Sequence, residues 1–91
     1  MPSFELRVKR YFESLGYNVF SNLNSSNVVT FIAFSCIKKW MQRPLFIKCN
    51  GGKEVNEDEE RKLYEMAWKN NTVPIVVYKN RKERLVLKEI K

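Results

Sequence analysis

The chain has 91 residues, 44% of them hydrophobic and 30% charged, with a formal charge of +7. That size fits one compact domain over 1–91 and excludes most multi-domain enzymes. Three Gly, three Pro and 13% aromatic residues make the chain too apolar for disorder and too irregular for a collagen or linker composition.

Ser3 is placed to cap a helix over 3–15, whose apolar positions Phe4, Val8, Tyr11, Phe12 and Leu15 recur at steps of three and four. Gly16 stands where a left-handed residue ends such a helix. Tyr17-Asn18-Val19-Phe20 then alternates as a first strand, and the polar run from Asn22 to Asn27 reads as a turn into Val28 to Phe34. This second strand is apolar on both faces and is expected to be central. Ile37 to Arg43 is a connection, and Pro44-Leu45-Phe46-Ile47-Lys48-Cys49 is a third strand with Pro at its first position, where a strand tolerates it.

Asn50-Gly51-Gly52 breaks that strand. Asn56 with Glu59 forms a capping box for a second helix over 57–70, with Leu63, Met66, Ala67 and Asn70 marking its buried stripe. Residues 73–78 and 84–89 are two closing strands around a turn from Lys79 to Glu83. The order αβββαββ, with an antiparallel meander followed by a parallel crossover, predicts an α+β fold with a mixed five-stranded sheet and a helix on each face.

No apolar run approaches the roughly 20 residues of a membrane span, and Met1-Pro2-Ser3-Phe4-Glu5 lacks the order of a signal peptide. A cytoplasmic protein without membrane association is expected. Cys36 and Cys49 are not in a CxxC arrangement, and the chain has no His to complete a zinc site. Both cysteines read as buried thiols in a reducing compartment, and no cofactor is expected.

Charge is unevenly spread. Glu54, Glu57, Asp58, Glu59 and Glu60 are half of the ten acids, so the rest of the chain sets 17 Lys and Arg against five acids, a charge of +12. The cluster suits the positive end of the second helix, and an EF-hand loop would need alternating acids around a Gly. No carboxylate side chain occurs between Glu13 and Glu54, an interval that holds Lys38, Lys39, Arg43, Lys48 and Lys53. A polyanion is the partner this asymmetry points to, against the alternative of a plain solvated basic surface.

The order and several local phrases resemble the PD-(D/E)xK nuclease superfamily, and within it the small archaeal Holliday junction resolvases. Ser3-Phe4-Glu5-Leu6 resembles the helix that carries that family's first acid. Leu15-Gly16-Tyr17-Asn18-Val19 is similar to its exit from that helix, Thr30-Phe31-Ile32-Ala33 to its "Asp, Ile, Ile, Ala" strand, and Leu45-Phe46-Ile47-Lys48-Cys49 to its "Ile, Glu, Val, Lys, Ser" strand. Val73-Pro74-Ile75 and the basic hairpin Lys79-Asn80-Arg81-Lys82 also have counterparts there. The resemblance implies a restriction-endonuclease-like fold, a homodimer and DNA as ligand.

The family binds its divalent metal through the strand Asp and the Glu two residues before the Lys. Here those positions are Thr30 and Phe46, so of the remnant set Glu5, Thr30, Phe46 and Lys48 only Lys48 and Glu5 keep the family's residue type. Mg²⁺ is held through carboxylates, and one distant Glu does not replace two convergent ones. The element order also resembles the archaeal tRNA-splicing endonucleases, whose metal-free chemistry needs a His that this chain lacks. The expectation is an inactive resolvase-like protein without catalytic residues or a metal site. The alternative is a non-catalytic adaptor subunit that pairs with another protein, such as an active nuclease-fold partner.

The candidate nucleic-acid contacts are Lys38, Lys39, Trp40, Arg43, Lys48, Lys53, Arg81 and Lys82. Lys48, late in an apolar strand, either meets a phosphate in the old cleft or snorkels to water. Lys38, Lys39, Trp40 and Arg43 either bind backbone phosphate while the ring stacks on an unpaired base, or form a solvated hairpin whose Trp covers a sheet edge or a dimer partner. Glu5 stabilises a helix start whatever its ancestry. If the second and third strands pair with Ser35 near Pro44, Thr30 and Phe31 lie opposite Cys49 and Lys48, which puts Thr30 beside Lys48.

Overall fold

The computed structural model describes residues 4–21, 28–35, 43–50 and 56–90. The elements are α1 (Phe4–Ser14), β1 (Tyr17–Ser21), β2 (Phe31–Ser35), β3 (Leu45–Cys49), α2 (Glu57–Lys69), β4 (Val73–Lys79) and β5 (Leu85–Glu89). They form one five-stranded sheet in the order β1-β2-β3-β4-β5. β1, β2 and β3 pair antiparallel, β3 and β4 pair parallel through α2, and β5 returns antiparallel to β4. The αβββαββ order and the mixed sheet are those the sequence predicts.

Alternation along the strands divides the core between the two helices. Val8 and Phe12 of α1 pack with Val19, Phe31, Ala33, Ile47 and Val77 on one face. Leu63 and Ala67 of α2 pack with Val29, Phe46 and Val76 on the other. The adjacent pairs Phe46/Ile47 and Val76/Val77 each send one side chain to each layer, which ties both helices to the middle of the sheet. Gly16 has φ +96°, so α1 ends through a left-handed residue as its position implies.

Asn56 caps α2, its Oδ1 accepting from the Glu59 amide at 2.9 Å. Asn70, expected in the buried stripe, is instead exposed and donates from Nδ2 to the Met66 carbonyl at 2.8 Å. Asn71 follows in the left-handed region at φ 55°, and the Thr72 amide closes on the Ala67 carbonyl at 2.9 Å. The short polar side chains cap the last turn because Asn tolerates the left-handed conformation.

Two further expectations are corrected. Phe31 pairs with Ile47 and not with Lys48, a slip of one residue. Such a slip exchanges faces, and the observed register puts Phe31 and Ile47 together under α1. β2 lies inside the sheet, but β3 occupies its centre, and Phe34 on β2 is 44% exposed beside Phe20 because α2 sits over β3 and β4. Among the described residues no helix is long and apolar enough to cross a membrane. The expected cap at Ser3, the turn from Asn22 to Asn27, Cys36, the break at Gly51-Gly52 and most of the 37–43 connection lie outside the described residues.

Candidate nucleic-acid interface

β3 and β4 run parallel, with Cys49 opposite Val77, so the C-terminal end of β3 and the β4–β5 turn share one end of the sheet. In open sheets containing parallel strands this is the end where ligands bind. Lys48 is half-buried there and lines a cleft of about 170 Å³ with Val28, Glu59 and Lys62. Several waters fit such a space. Lys62 projects from the first half of α2, so two ammonium groups from different elements border one opening, with Glu59 the acid on its wall among the described residues.

Lys79, Arg81, Lys82 and Arg84 stand beyond Val77 on the same end of the sheet. Asn80 shapes their turn, its Oδ1 accepting from the Lys82 amide at 2.9 Å and the Arg84 amide at 3.1 Å. Glu83 takes the left-handed position at φ 59°. The turn therefore holds Arg81 and Lys82 outward, both exposed.

Thr30 does sit beside Lys48, although the register is shifted. Its amide donates to the Ile47 carbonyl at 2.8 Å, and its hydroxyl accepts from the Cys49 amide at 3.0 Å, so it brackets Lys48 from the strand opposite. The hydroxyl supplies an acceptor just before β2 begins, where the regular ladder has none. Phe46, two residues before Lys48 and on the same face, is 9% exposed among Val29, Leu63, Ala67 and Val76.

Glu5 is on α1, on the other side of the sheet from Lys48, and its charge reaches the Cys49 thiol. Burial first, and then that carboxylate, push Cys49 up to about 12, against a smaller downward pull from the Thr30 hydroxyl and Lys48. Among the described residues, those at this end of the sheet do not suit a divalent metal. Thr30 is committed to a backbone amide, Phe46 offers no donor, and among the described residues no three Asp, Glu, Cys or His side chains gather.

The raised Cys49 value carries a prediction. The thiolate is the reactive form, and a rise from 9.0 to about 12 reduces its population by about a thousandfold at pH 8. In a Cys36→Ser variant, iodoacetamide is expected to label Cys49 orders of magnitude more slowly in native protein than in urea. The unfolded chain releases this proton near pH 9 while the folded chain holds it, so the group's contribution to stability is complete below 9 and is lost as pH rises toward 12. Equal labelling rates with and without urea would show an open thiol.

Of the other expected contacts, Arg43 is exposed and precedes β3, about five residues and roughly 16 Å of strand from Lys48, at the opposite end of the sheet. Lys38, Lys39, Trp40 and Lys53 lie outside the described residues. Lys62 was not singled out by the sequence. Its signal is its place beside Leu63 on a capped helix, but facing Lys48 depends on how α2 is rotated over the sheet.

No protein-family model matches the chain, and no curated protein sequence matches it. A solved structure does. It is that of Archaeoglobus fulgidus Hjc, a Holliday junction resolvase from an archaeal hyperthermophile, with a TM-score of 0.74 at 15% sequence identity, over 96% of this chain and 73% of that one. The chain has the restriction-endonuclease-like fold of that resolvase. The expected fold class therefore stands, and the extra length of the resolvase lies outside the shared part.

Proposed function

We propose that this protein is a catalytically inactive, resolvase-fold DNA-binding protein that works as a pair of copies and engages branched or duplex DNA at the basic end of its sheet. The observation that carries the reading is the convergence of Lys48 and Lys62 at one cleft, with Arg81 and Lys82 beyond it on the same end. Clustered cations on one end of a +7 chain are the electrostatic footprint of a polyanion site. The likeness to a junction resolvase supports branched DNA among polyanions. A four-way junction is two-fold symmetric, so two basic sheet ends related by a two-fold axis match it.

The inactive reading rests on residue types. The two positions that resemble the family's metal-binding acids are Thr30 and Phe46, one bonded to the Cys49 amide and the other packed under α2. Neither can ionise to hold Mg²⁺ or to activate water.

Binding is expected to be largely independent of sequence and to fall steeply with salt, with log K losing about 0.9 per phosphate neutralised for each decade of salt. The test is a salt titration against labelled four-way junction, duplex and single-stranded DNA of matched length, with Mg²⁺ present so that cleavage is scored in the same tubes. Junction or duplex binding without cutting is the expected result. Absence of binding at low salt would remove the DNA reading, and Mg²⁺-dependent cutting would remove the inactive one.

A further inference from the structure

The exposed flank of α2 carries a stripe that the proposed DNA site does not use. Glu57, Arg61, Tyr64 and Trp68 recur at steps of four, three and four and are all exposed, Tyr64 by 41% and Trp68 by 75%. Beside the two aromatics is a recess of about 200 Å³ whose lining includes Pro74, Ile90, Arg43 and Glu89. Helical periodicity puts the four stripe residues on one face, and nothing in the core requires aromatics there.

We infer that this stripe is where a second copy of the chain docks, by antiparallel packing of α2 against the α2 of its partner. The inference rests on the reading that the protein works as a pair and names the surface that pairs it. Charge complementarity selects the occupant. The stripe carries Glu57 and Arg61, the latter in an exposed ion pair with Asp58 at 3.0 Å, and among the described residues the recess is lined by the opposite charges Arg43 and Glu89.

With Tyr64 at the two-fold axis, antiparallel register sets Arg61 over the partner's Trp68, a cation–π geometry. It also directs Glu57 toward the recess where the partner's Arg43 stands. The acidic first turn of α2, Glu57 to Glu60, then lies near the end of the partner's helix that carries Lys69, and the two helix dipoles oppose.

Nucleic acid is a poor occupant of this surface, because Glu57 and Glu89 would both meet phosphate. The recess is also at the opposite end of α2 from the Lys48 cleft, so pairing here leaves both basic ends free. A 13-residue helix is about 20 Å long, which places the interface at the small end of specific contacts.

The test is sedimentation velocity over a dilution series of the whole chain, with thermal melts as the folding control. Wild type is expected to pass from dimer to monomer on dilution. Trp68→Ala is expected to weaken pairing about tenfold or more, as truncation of a central aromatic anchor does, with an unchanged melt at dilutions where wild type is also monomeric, because the ring is mostly outside the core.

Glu57→Lys and Arg43→Glu should each weaken self-association. Their equimolar mixture should associate more tightly than either alone, since every contact in the mixed pair then joins opposite charges. A protein that stays monomeric at millimolar concentration removes this surface and the paired reading together. A dimer indifferent to Trp68→Ala, whose charge variants gain nothing on mixing, pairs elsewhere; the inference then fails while the paired reading stands.

Discussion

Phe46→Glu is expected to cost most of the stability of the fold, while Thr30→Asp costs little, although both introduce a carboxylate beside Lys48 in the sequence or in space. Phe46 is 9% exposed among Val29, Leu63, Ala67 and Val76, at the junction of β3 and α2. Losing a buried aromatic costs about 3–5 kcal/mol. The new carboxyl would add the cost of an unpaired charge in an apolar layer. A domain of this size has about 5–15 kcal/mol in total, so the variant should be largely unfolded at neutral pH. Burial would raise the new carboxyl above its usual value near 4.3, so the loss should ease in acid and return as pH rises.

Thr30→Asp meets a different environment. The Thr30 hydroxyl accepts from the Cys49 amide at 3.0 Å, and an Asp oxygen can accept the same hydrogen bond. Its expected cost is within about 1–2 kcal/mol. Urea denaturation of both variants decides the matter. If Phe46→Glu unfolds within about 1 kcal/mol of wild type, position 46 is not held by packing. The expected contrast would mean that position 46 is held by packing between β3 and α2, so the fold does not accept a carboxylate there.

The architecture could be read from the sequence because each element carries a local signal that agrees with its packing. The Asn56 and Glu59 cap, the spacing of Val8 and Phe12, and the length of chain between β3 and β4 each bear on one element or one connection. The register of β2 on β3 could not be read that way, since either choice places Ile32 and Ala33 opposite apolar residues of β3. Packing of Phe31 and Ile47 beneath α1 settles it, and that is a tertiary event. The exposure of Phe34 could not be read for a related reason: an apolar strand shows no sign of which part of its face the helix leaves bare.

The site divides the same way. The absence of carboxylates between Glu13 and Glu54 is a property of composition and holds in any alignment. The pairing of Lys48 with Lys62, and the separation of Arg43 from both, follow from the direction and rotation of α2 over a parallel pair of strands. No short stretch of sequence encodes those.

That pairing makes the second large prediction. Reversing both charges with Lys48→Glu and Lys62→Glu is expected to weaken DNA binding by about a hundredfold at low salt, and to lower the salt slope by about two, the share of two phosphate contacts. The effect should be nearly the same for all sequences, because such contacts position a duplex without reading it. Arg10→Glu is the control for net charge. It changes the chain by the same amount per residue but lies exposed on α1, on the other face of the sheet from the cleft.

If Lys48 only snorkels to water, Lys48→Glu should match the control. If it meets phosphate, the double variant should lose more than twice what the control loses, and most of the difference should vanish at high salt, where counterion release no longer favours binding. Equal losses for cleft and control variants would mean that net charge alone holds the DNA and that the cleft has no part in it.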